Sequence, residues 1–454
     1  MKIIIVGAGE VGYHIASRLA SENKDVVIID KSADAVRRVS ENIDVQAIVD
    51  SGSSPVVLEQ AGVRQADILL AVTDSDEVNL VACLSANMLS PATKKLARIR
   101  HGDFDGYHEI LKKEAPHIDT VINPEIEVVK TIYRLMKVPG AVDMGAFAQG
   151  RVKFVGLRIE EASAMAGVKL SEFDAMFGRA RPLIAAIVRN EDLIVPRGSN
   201  RLMPGDLVYF ISEQKNMAET VKLFDKKTKP VRRVVIAGGG RIGQRLAAML
   251  EKNSIQAKIV ELNHDRCTAL AGAMNRTVVL NGDASDQKLL LEENIADADL
   301  MVSVTDDEET NILVSLLAKN LGVGDTITKV SKFSYFPLMT AIGLQRVVSP
   351  RLSAISSILQ EVRKGKILSA VSIRGEAAEV IEAVALETSG ITGKPLKKIS
   401  FPKGAILVCI MKEEEIIIPT GDSVVAPGDK VIIFARQDAV KKLEKLLTVK
   451  LEFF

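Results

Sequence analysis

A glycine-rich segment near the start of the chain constrains its fold more than any other feature. Lys2–Gly12 reads Lys-Ile-Ile-Ile-Val-Gly-Ala-Gly-Glu-Val-Gly, in which four branched apolar residues lead directly into three spaced glycines. The apolar run is typical of a buried parallel strand, and glycines at this spacing allow a tight turn into a helix. Val234–Gly243 repeats the pattern in the second half of the chain. The sequence therefore predicts two copies of one strand–loop–helix unit.

An acidic residue follows each glycine loop at a matching distance. Asp30 and Glu261 end the next predicted strands, each 18 residues after the last glycine of its loop. In dinucleotide-binding folds, a carboxylate about 20 residues after the loop binds the adenosine ribose, and it would repel the 2′-phosphate of NADP. The pattern therefore favours a ligand with a free ribose, such as NAD. The alternative interpretation is a surface acid at the start of a helix.

A threonine–aspartate pair ends the fourth predicted strand of each copy. These pairs are Thr73-Asp74 and Thr305-Asp306, and an asparagine follows six residues after each threonine. Open α/β sheets bind their ligands at the carboxyl ends of the strands, so both pairs are candidate contacts. The alternative role is N-capping of the next helix, for which Thr and Asp are preferred. Arg98, on the fifth strand, is a candidate countercharge for phosphate groups, with a surface ion pair as the alternative.

The helix after the first loop shows a simple amphipathic pattern. Val11, Ile15 and Leu19 recur at helical spacing and predict its buried face. Arg18 and Glu22 lie outside this apolar stripe. The pattern therefore predicts a helix after the first loop.

Strands alternate with helices in both copies, which predicts an α/β fold with two doubly wound, Rossmann-like parallel sheets. Each copy is followed by a segment of short alternating strands with a Pro-Gly-Asp turn, at 204–206 and at 427–429. These segments predict two small α+β domains, which we call C-lobes, and we call the parallel-sheet domains N-lobes. The predicted limits are 1–139 for N-lobe 1, 140–226 for C-lobe 1, 231–366 for N-lobe 2 and 367–454 for C-lobe 2, with a linker at 225–230 between the halves.

The composition excludes several classes of function. Lys and Arg number 59 against 58 for Asp and Glu, so no overall charge favours nucleic acid or anionic lipid. No apolar run approaches the length of a membrane span, and the first one is too short for a signal peptide. The three cysteines are far apart, and His101, His108 and His117 fit no common helix face, so no metal site is expected. We expect a cytoplasmic protein that reaches a membrane only through a partner.

Neither C-lobe carries the groups expected of a catalytic domain. A nicotinamide-dependent dehydrogenase joins its nucleotide domain to a domain that supplies a proton-transfer group and a substrate clamp. Residues 140–226 and 367–454 contain no histidine and no nucleophile motif. The sequence therefore indicates a protein that senses a nucleotide and is not an enzyme. An NAD-dependent oxidoreductase and a redox sensor unrelated to transport remain the alternatives.

On these motifs the chain resembles the RCK family (regulators of potassium conductance), and within it the tandem-RCK regulatory proteins of Trk-type potassium uptake systems. The resemblance covers essentially the whole chain. It rests on the glycine loops with Asp30 and Glu261, on Thr73-Asp74 and Thr305-Asp306 with their asparagines, and on the Pro-Gly-Asp turns. Their combination and order are specific to the family, whereas each motif alone is not.

The resemblance implies that NAD(H), and in some relatives ATP or ADP, binds the N-lobes. The implied residues of the first site are Gly7, Ala8, Gly9, Glu10, Val11, Gly12, Asp30, Ser51, Thr73, Asp74 and Arg98. Those of the second site are Gly238, Gly239, Gly240, Arg241, Ile242, Gly243, Glu261, Asp283, Thr305 and Asp306.

Two differences between the copies predict that the sites are not equivalent. Gly282-Asp283-Ala284 follows the third strand of the second copy, where the first copy has Ser51-Gly52-Ser53. Arg241 stands in the second glycine loop where the first has Glu10. A cation that contacts phosphate at this place favours a more phosphate-rich ligand. The alternative is that Arg241 is a solvated surface residue.

The resemblance also implies how the protein acts. It implies a homotetrameric ring at the inner face of the cell membrane, bound peripherally to a membrane-embedded Trk-type subunit whose potassium flow it gates, with no role for nucleic acid. Predicted helices at 124–136 and 350–363 are the expected levers. Binding of a cyclic dinucleotide by the C-lobes remains open.

Overall fold

Four β-sheets, two parallel and two antiparallel, form the framework of the protein in the computed structural model. The structure describes residues 1–178, 182–190, 192–224, 230–362, 367–373, 377–413 and 415–447. Within these ranges, no helix is long and apolar enough to cross a membrane. Apart from Pro230, the predicted linker lies outside the described residues. The four sheets confirm the predicted α/β class with additional small antiparallel domains.

The first parallel sheet has six strands in a doubly wound arrangement. Its elements and the helix that follows are β1 (Lys2–Val6), α1 (Glu10–Ser21), β2 (Asp25–Asp30), α2 (Ala33–Asn42), β3 (Gln46–Val49), α3 (Pro55–Gln60), β4 (Ile68–Ala71), α4 (Asp76–Leu89), β5 (Lys94–Arg98), α5 (His108–Lys113), β6 (Thr120–Ile122) and α6 (Pro124–Met136). The strand order is β3-β2-β1-β4-β5-β6. The order reverses between β1 and β4, which is the switch point at which such sheets bind ligands.

Between the parallel sheets lies the first antiparallel sheet. Its elements are β7 (Ala141–Phe147), β8 (Val152–Arg158), α7 (Phe173–Phe177), β9 (Leu183–Arg189), β10 (Asp192–Ile194), β11 (Leu207–Glu213) and α8 (Met217–Leu223). The strand order is β10-β9-β11-β8-β7. Short alternating apolar runs at 152–157, 183–188 and 207–211 predict β8, β9 and β11, whereas β7 and β10 were not predicted.

The second parallel sheet repeats the first. Its elements and the helix that follows are β12 (Arg233–Ala237), α9 (Arg241–Lys252), β13 (Gln256–Glu261), α10 (His264–Ala273), β14 (Val278–Asn281), α11 (Gln287–Glu292), β15 (Leu300–Ser303), α12 (Glu308–Asn320), β16 (Thr326–Lys329), α13 (Phe336–Ala341), β17 (Val347–Val348) and α14 (Pro350–Val362). The order β14-β13-β12-β15-β16-β17 is that of the first sheet. The sixth strands, β6 and β17, were not predicted, because two or three residues show no recognisable periodicity.

The second antiparallel sheet ends the chain and repeats the topology of the first. Its elements are β18 (Ile367–Ile373), β19 (Ala378–Val384), β20 (Ala405–Lys412), β21 (Glu415–Ile417), β22 (Lys430–Arg436) and α15 (Gln437–Leu447). The strand order is β18-β19-β22-β20-β21. The repetition of both sheet types indicates that a two-domain unit was duplicated.

The helices that follow the parallel sheets are exchanged between the halves of the chain. One compact unit consists of Met1–Glu127 with Pro350–Arg363, and in it α14 packs on α1. The other consists of Val128–Ser349 with Lys364–Phe454 and contains most of α6. In that unit, the Nη2 of Arg346 donates to the carbonyl oxygen of Leu135 on α6 at 2.6 Å. The predicted limits of the four lobes stay a prediction.

The two antiparallel sheets share one hydrophobic core. Phe154 and Tyr209 from the first sheet and Val380 and Phe434 from the second are all 0% exposed and belong to the same cluster. The rings of Phe154 and Tyr209 stack with their centres 5.2 Å apart. Burial of large aromatic side chains stabilises such a core strongly. The C-lobes are therefore joined by an apolar interface within a single chain.

The structure buries two charged residues that the apolar stripe of α1 leaves out. Arg18 is 3% exposed and Glu22 is 9% exposed, and the Nε of Arg18 lies 2.9 Å from a carboxylate oxygen of Glu22. The sequence did not reveal this burial, because neither residue belongs to the apolar stripe of the helix. Thus α1 is covered on more than its apolar face.

We expect Arg18→Ala to lower the free energy of unfolding by about 3 kcal/mol, because it leaves the carboxylate of Glu22 buried without its ion-pair partner. The control Arg37→Ala breaks the exposed pair between Arg37 and Asp34 and should cost less than about 1 kcal/mol. Urea denaturation followed by circular dichroism measures both. An equal decrease in the free energy of unfolding in the two variants would contradict the burial of the Arg18–Glu22 pair.

Candidate functional site

The first glycine loop joins β1 to α1 through very close backbone contacts. Gly7 has a φ of +109°, and a Cβ built on it would lie 2.9 Å from the backbone nitrogen of Thr73. A Cβ on Gly12 would lie 1.8 Å from the carbonyl oxygen of Gly7. Around Gly9, by contrast, a Cβ would meet no described atom within 4 Å. Gly7 and Gly12 therefore shape the loop, and Gly9 faces open space that a ligand could occupy.

The second loop repeats these contacts between β12 and α9. Gly238 has a φ of +99° beside the backbone of Thr305, and a Cβ on Gly243 would lie 2.0 Å from the oxygen of Gly238. Gly240 faces open space within the described structure, as Gly9 does. Gly239 is packed more tightly, since a Cβ there would lie 2.4 Å from a side-chain carbon of Leu270.

Both loops lead into the first turn of a helix, where N–H groups have no partner inside the helix. Gly9 and Gly240 are the residues directly before α1 and α9. Val11 and Ile242 follow within the first turn, and their side chains are only 5% and 7% exposed. These two predicted site residues can therefore meet a ligand through their backbone and not through their side chains.

The acids at the ends of β2 and β13 hold the glycine loops in place. Asp30 accepts hydrogen bonds from the N–H groups of Ala8 at 2.6 Å and Ser32 at 2.8 Å. Glu261 accepts from Gly239 at 2.7 Å and Asn263 at 2.8 Å. Each carboxylate can accept about four hydrogen bonds, so lone pairs remain for ribose hydroxyls. Asp30 and Glu261 can therefore hold the glycine loops and accept hydrogen bonds from a ribose at the same time.

A buried asparagine orders the end of β4. Asn79 is 0% exposed, and its Oδ1 accepts from the backbone nitrogen of Thr73 at 2.9 Å. The hydroxyl of Thr73 lies 2.7 Å from the same oxygen. The Nδ2 of Asn79 donates to the carbonyl oxygen of Arg98 at 2.8 Å. One side chain therefore ties together the ends of β4 and β5, beside the glycine loop.

Asn311 makes the same network in the second copy. Its Oδ1 accepts from the nitrogen of Thr305 at 2.8 Å, and its Nδ2 lies 3.2 Å from the oxygen of Lys329. Lys329 thus occupies in the second copy the place that Arg98 has in the first. Sequence reasoning assigned no role to the asparagines, although the repeated spacing from the threonines was the signal that could have revealed it.

The aspartates of the two threonine–aspartate pairs are exposed. The guanidinium of Arg100 donates to the carbonyl oxygen of Asp74, and the Oδ1 of Asp306 lies 3.8 Å from the Nζ of Lys329. Neither aspartate caps the next helix. Ser75 caps α4 and Asp307 caps α12, each one position after the pair. The capping alternative was therefore wrong by one residue, which leaves both aspartate side chains at the sheet edge.

Arg98 carries a partly buried guanidinium, and the carboxylates near it offset only part of the effect of burial on its pKa. Burial, and to a smaller extent the charge of Arg100, lower the pKa of Arg98 to about 10 against the opposing effect of nearby carboxylates. Among the described residues, its buried Nε has no hydrogen-bond partner. An unsatisfied cation at the carboxyl edge of the sheet is suited to an anionic ligand.

The first turns of α1 and α9 carry opposite charges. Glu10 accepts from the Nη1 of Arg38 at 2.7 Å, and this hydrogen bond is the main reason that the pKa of Glu10 is lowered. Arg241 takes the place of Glu10 in the second copy. The Nε of Arg266 there donates to the carbonyl oxygen of Gly239 at 2.7 Å. The second loop is therefore more cationic than the first, as the sequence predicted.

The loops that follow the third strands of the two copies correspond with an offset of one residue from the predicted alignment. Asp50 donates its N–H to the oxygen of Asp30, and Gly282 donates to that of Glu261, both at 3.0 Å. Asp50 therefore matches Gly282, so that Ser51 matches Asp283. A one-residue length difference between the copies, before β14, caused the error.

Ser51 and Asp283 are exposed and engaged within their own loops. The Oγ of Ser51 lies 2.9 Å from that of Ser53. Asp283 accepts from the N–H of Ser285 at 2.8 Å, and the hydrogen bonds from Ser285 lower its pKa. A Cβ on Gly52 would lie 2.2 Å from a side-chain carbon of Val6, at the end of β1. The third loop of the first copy thus passes close to its glycine loop.

In the described part of the chain, the potential metal-ligating side chains are scattered. No group of three or more His, Cys, Asp or Glu residues that could hold a metal ion occurs there. The three cysteines are all buried, and burial raises the pKa of Cys83 and Cys409 to about 12. These two thiols therefore stay protonated and unreactive at neutral pH.

We expect Asn79→Leu to destabilise the first parallel-sheet domain by about 3 kcal/mol, because the N–H and carbonyl of Thr73 and the carbonyl of Arg98, which are partly buried, lose their partner. The same change at the matched position, Asn311→Leu, should have a similar effect on the second domain. Hydrogen exchange of peptides from the two domains measures each loss separately. Loss of protection in both domains from one substitution would contradict the local role of the asparagine.

Comparison with known proteins agrees with the duplicated architecture. The family model described as TrkA-N domain matches residues 3–124 and 234–350. The model described as TrkA-C domain matches residues 154–225 and 380–448. Each parallel sheet thus falls in a TrkA-N match and each antiparallel sheet largely in a TrkA-C match.

Solved structures share the fold at low sequence identity. A structure described as "GsuK channel bound to NAD" has a TM-score of 0.60 and 19% identity, with 98% of this chain and 78% of that chain covered. The structure described as "Crystal Structure of the GsuK RCK domain" has the same TM-score and identity and is covered to 94%. This similarity confirms the RCK-type fold.

Curated relatives match along their whole length. The "Trk system potassium uptake protein TrkA" of Azorhizobium caulinodans is 39% identical, and that of Halomonas elongata is 37% identical, with 100% of this chain and of each relative covered. Together with the two pairs of domain matches, this confirms the resemblance inferred from the motifs. The chain belongs to the TrkA family.

Proposed function

We propose that the chain is the nucleotide-sensing regulatory subunit of a Trk-type potassium uptake system. Its relatives are named as potassium uptake proteins and match along the full chain. In this proposal it binds at the inner face of the membrane to a membrane-embedded Trk-type subunit and gates potassium flow. NAD(H) is the proposed ligand of the N-lobes, and ATP or ADP are alternatives at the same loops.

The observation that carries this proposal is the shared geometry of the two glycine loops. In both copies a glycine at the helix start faces open space. The carboxylate of Asp30 or Glu261 accepts a hydrogen bond from the N–H of the second loop residue. Helix N-termini favour phosphate groups, and the acids retain lone pairs for ribose hydroxyls. Arg98 offers the first site a buried cation with an unsatisfied Nε among the described residues.

We propose that nucleotide binding biases the protein between two conformations. The helix α1 begins at the first glycine loop and packs on α14, which comes from the second half of the chain. A ligand at the loop therefore acts on a helix that already contacts the other half. It can shift the equilibrium only by the difference in its affinity for the two states.

In this proposal the nucleotide is bound and not turned over. The segments 140–226 and 367–454 contain no histidine and no nucleophile motif that could complete a dehydrogenase site. An oxidoreductase with a small carbonyl substrate is the competing function. Consumption of NADH in a broad substrate screen with the purified protein would favour it.

Calorimetric titration of NADH, NAD, ATP and ADP into the wild type and two variants tests the sites. We expect Asp30→Ala and Glu261→Ala each to weaken binding at one site by about tenfold or more, because each removes a ribose acceptor and releases the loop. The control Asp34→Ala changes an exposed acid on α2 and should bind as the wild type does. Unchanged affinities in both site variants would refute the assignment.

An apolar face of α4 supports assembly of several copies. Val81, Leu84 and Met88 are 46%, 40% and 72% exposed, and their spacing places them on one face of the helix. A row of large apolar side chains in water marks an interaction surface. We propose that a second copy of the chain covers this face in a homotetrameric ring.

Light scattering after size exclusion tests the assembly. We expect Leu84→Asp combined with Met88→Asp to convert the oligomer into smaller species, because a buried carboxylate without a partner is costly at an interface. The control Glu41→Lys changes an exposed charge on α2 and should leave the mass unchanged. An oligomer of the same mass in the double variant would exclude α4 as the contact.

A further inference from the structure

The start of α1 carries a cluster of charged and titratable groups beside the first glycine loop. Glu10 accepts from the Nη1 of Arg38 at 2.7 Å and lies 3.9 Å from the Nε2 of His14. The Nη2 of Arg38 donates to the carbonyl oxygen of Ala8 at 3.3 Å. The guanidinium also lies over the ring of Tyr13, 4.7 Å from its centre. One arginine is therefore held directly at the loop.

A second arginine of this cluster comes from the other half of the chain. Arg351 is the second residue of α14, which shares a compact unit with the first parallel sheet and packs on α1. The hydrogen bond from Arg38 lowers the pKa of Glu10 most, burial opposes it, and the charges of Arg38 and Arg351 lower it further. Burial lowers the pKa of His14 most, and Arg351 again contributes.

Glu361, near the other end of α14, lies 3.5 Å from the Nζ of Lys94 and accepts from Thr120 at 3.1 Å, where β5 and β6 begin. Together with the packing of α14 on α1, this directs the end that carries Arg351 toward the carboxyl edge of the sheet, where Glu10 lies.

Glu10 occupies a position that suits an anionic ligand. It lies in the first turn of α1, directly after Gly9, around which the described structure leaves open space. Negative groups are stabilised at a helix N-terminus, whether they belong to a side chain or to a phosphate. The carboxylate therefore has the charge and the place of a nucleotide phosphate. Two arginines that neutralise it would equally neutralise a phosphate.

We propose that Arg351 is a phosphate-contacting residue of the first nucleotide site, and that Glu10 holds Arg351 and Arg38 at the loop until a nucleotide phosphate replaces it. This inference rests on the proposed function, because it presupposes a nucleotide at the loop. It explains why the first loop tolerates an acid where the second has Arg241. The second loop carries its own cation, whereas the first receives one from α14.

Hydrogen-exchange mass spectrometry of the full chain, titrated with NADH, tests the proposal site by site. Protection of the peptide with Lys2–Gly12 reports the first site, and protection of the peptide with Val234–Gly243 reports the second. We expect Arg351→Gln to raise the NADH concentration for half-protection of the first peptide about tenfold and to leave the second unchanged. Glu10→Gln should lower it about threefold. The control Arg37→Gln, an exposed residue paired with Asp34, should match the wild type.

The double variant Glu10→Gln with Arg351→Gln separates a direct contact from an indirect one. If Arg351 contacts the phosphate, the double variant binds about tenfold more weakly than Glu10→Gln alone. Equal binding of these two proteins would mean that Arg351 only neutralises Glu10, which overturns the proposal. Arg351→Lys keeps the charge and should bind between the wild type and Arg351→Gln, which gives a second measurement if the glutamine variant unfolds.

The outcomes also separate this inference from the proposed function. Wild-type protein that NADH does not protect at either loop would contradict both. Protection that Asp30→Ala weakens and Arg351→Gln leaves unchanged would overturn the role of Arg351 alone.

Discussion

The contact between two glycines in each loop is the constraint on which both parallel-sheet domains depend. A Cβ on Gly12 would lie 1.8 Å from the oxygen of Gly7, and one on Gly243 would lie 2.0 Å from that of Gly238. This contact sets the helix directly against the end of its strand. The helix N-terminus then meets the open space beside Gly9 or Gly240, at the switch point of the sheet. A side chain at the contact would separate helix from strand and remove the anion-binding geometry.

Around this constraint, the two copies keep the same hydrogen bonds and differ in their charges. Asp30 and Glu261 hold the second residue of each loop, and Asn79 and Asn311 tie the ends of two strands. These groups shape the backbone, so their loss would disrupt each domain. Glu10 and Arg241, at the matched helix starts, carry opposite charges. The duplication therefore produced two domains with the same backbone hydrogen bonds and different charges beside their glycine loops.

Much of this fold could be predicted, because local patterns determine it. The apolar runs of β1 and β12, the glycine spacing and the acids after the second strands are all contained in short segments. The errors arose where structure depends on distant parts of the chain. Arg18 is buried although it lies outside the apolar stripe of α1, and the sixth strands are too short to show a period. The loops after the third strands correspond through backbone hydrogen bonds that reveal an offset of one residue. The helix caps at Ser75 and Asp307 were missed by one position.

The sequence by itself determined that the chain contains two glycine-loop domains and two small domains, since periodicity and glycine spacing act over a few residues. Only the tertiary structure decided that α6 and α14 are exchanged between the halves, and that α14, which carries Arg351, packs on α1. Contacts between residues hundreds of positions apart leave no local pattern, because they depend on how complete faces of helices and sheets are covered. The composition of the first site is therefore a property of the folded chain.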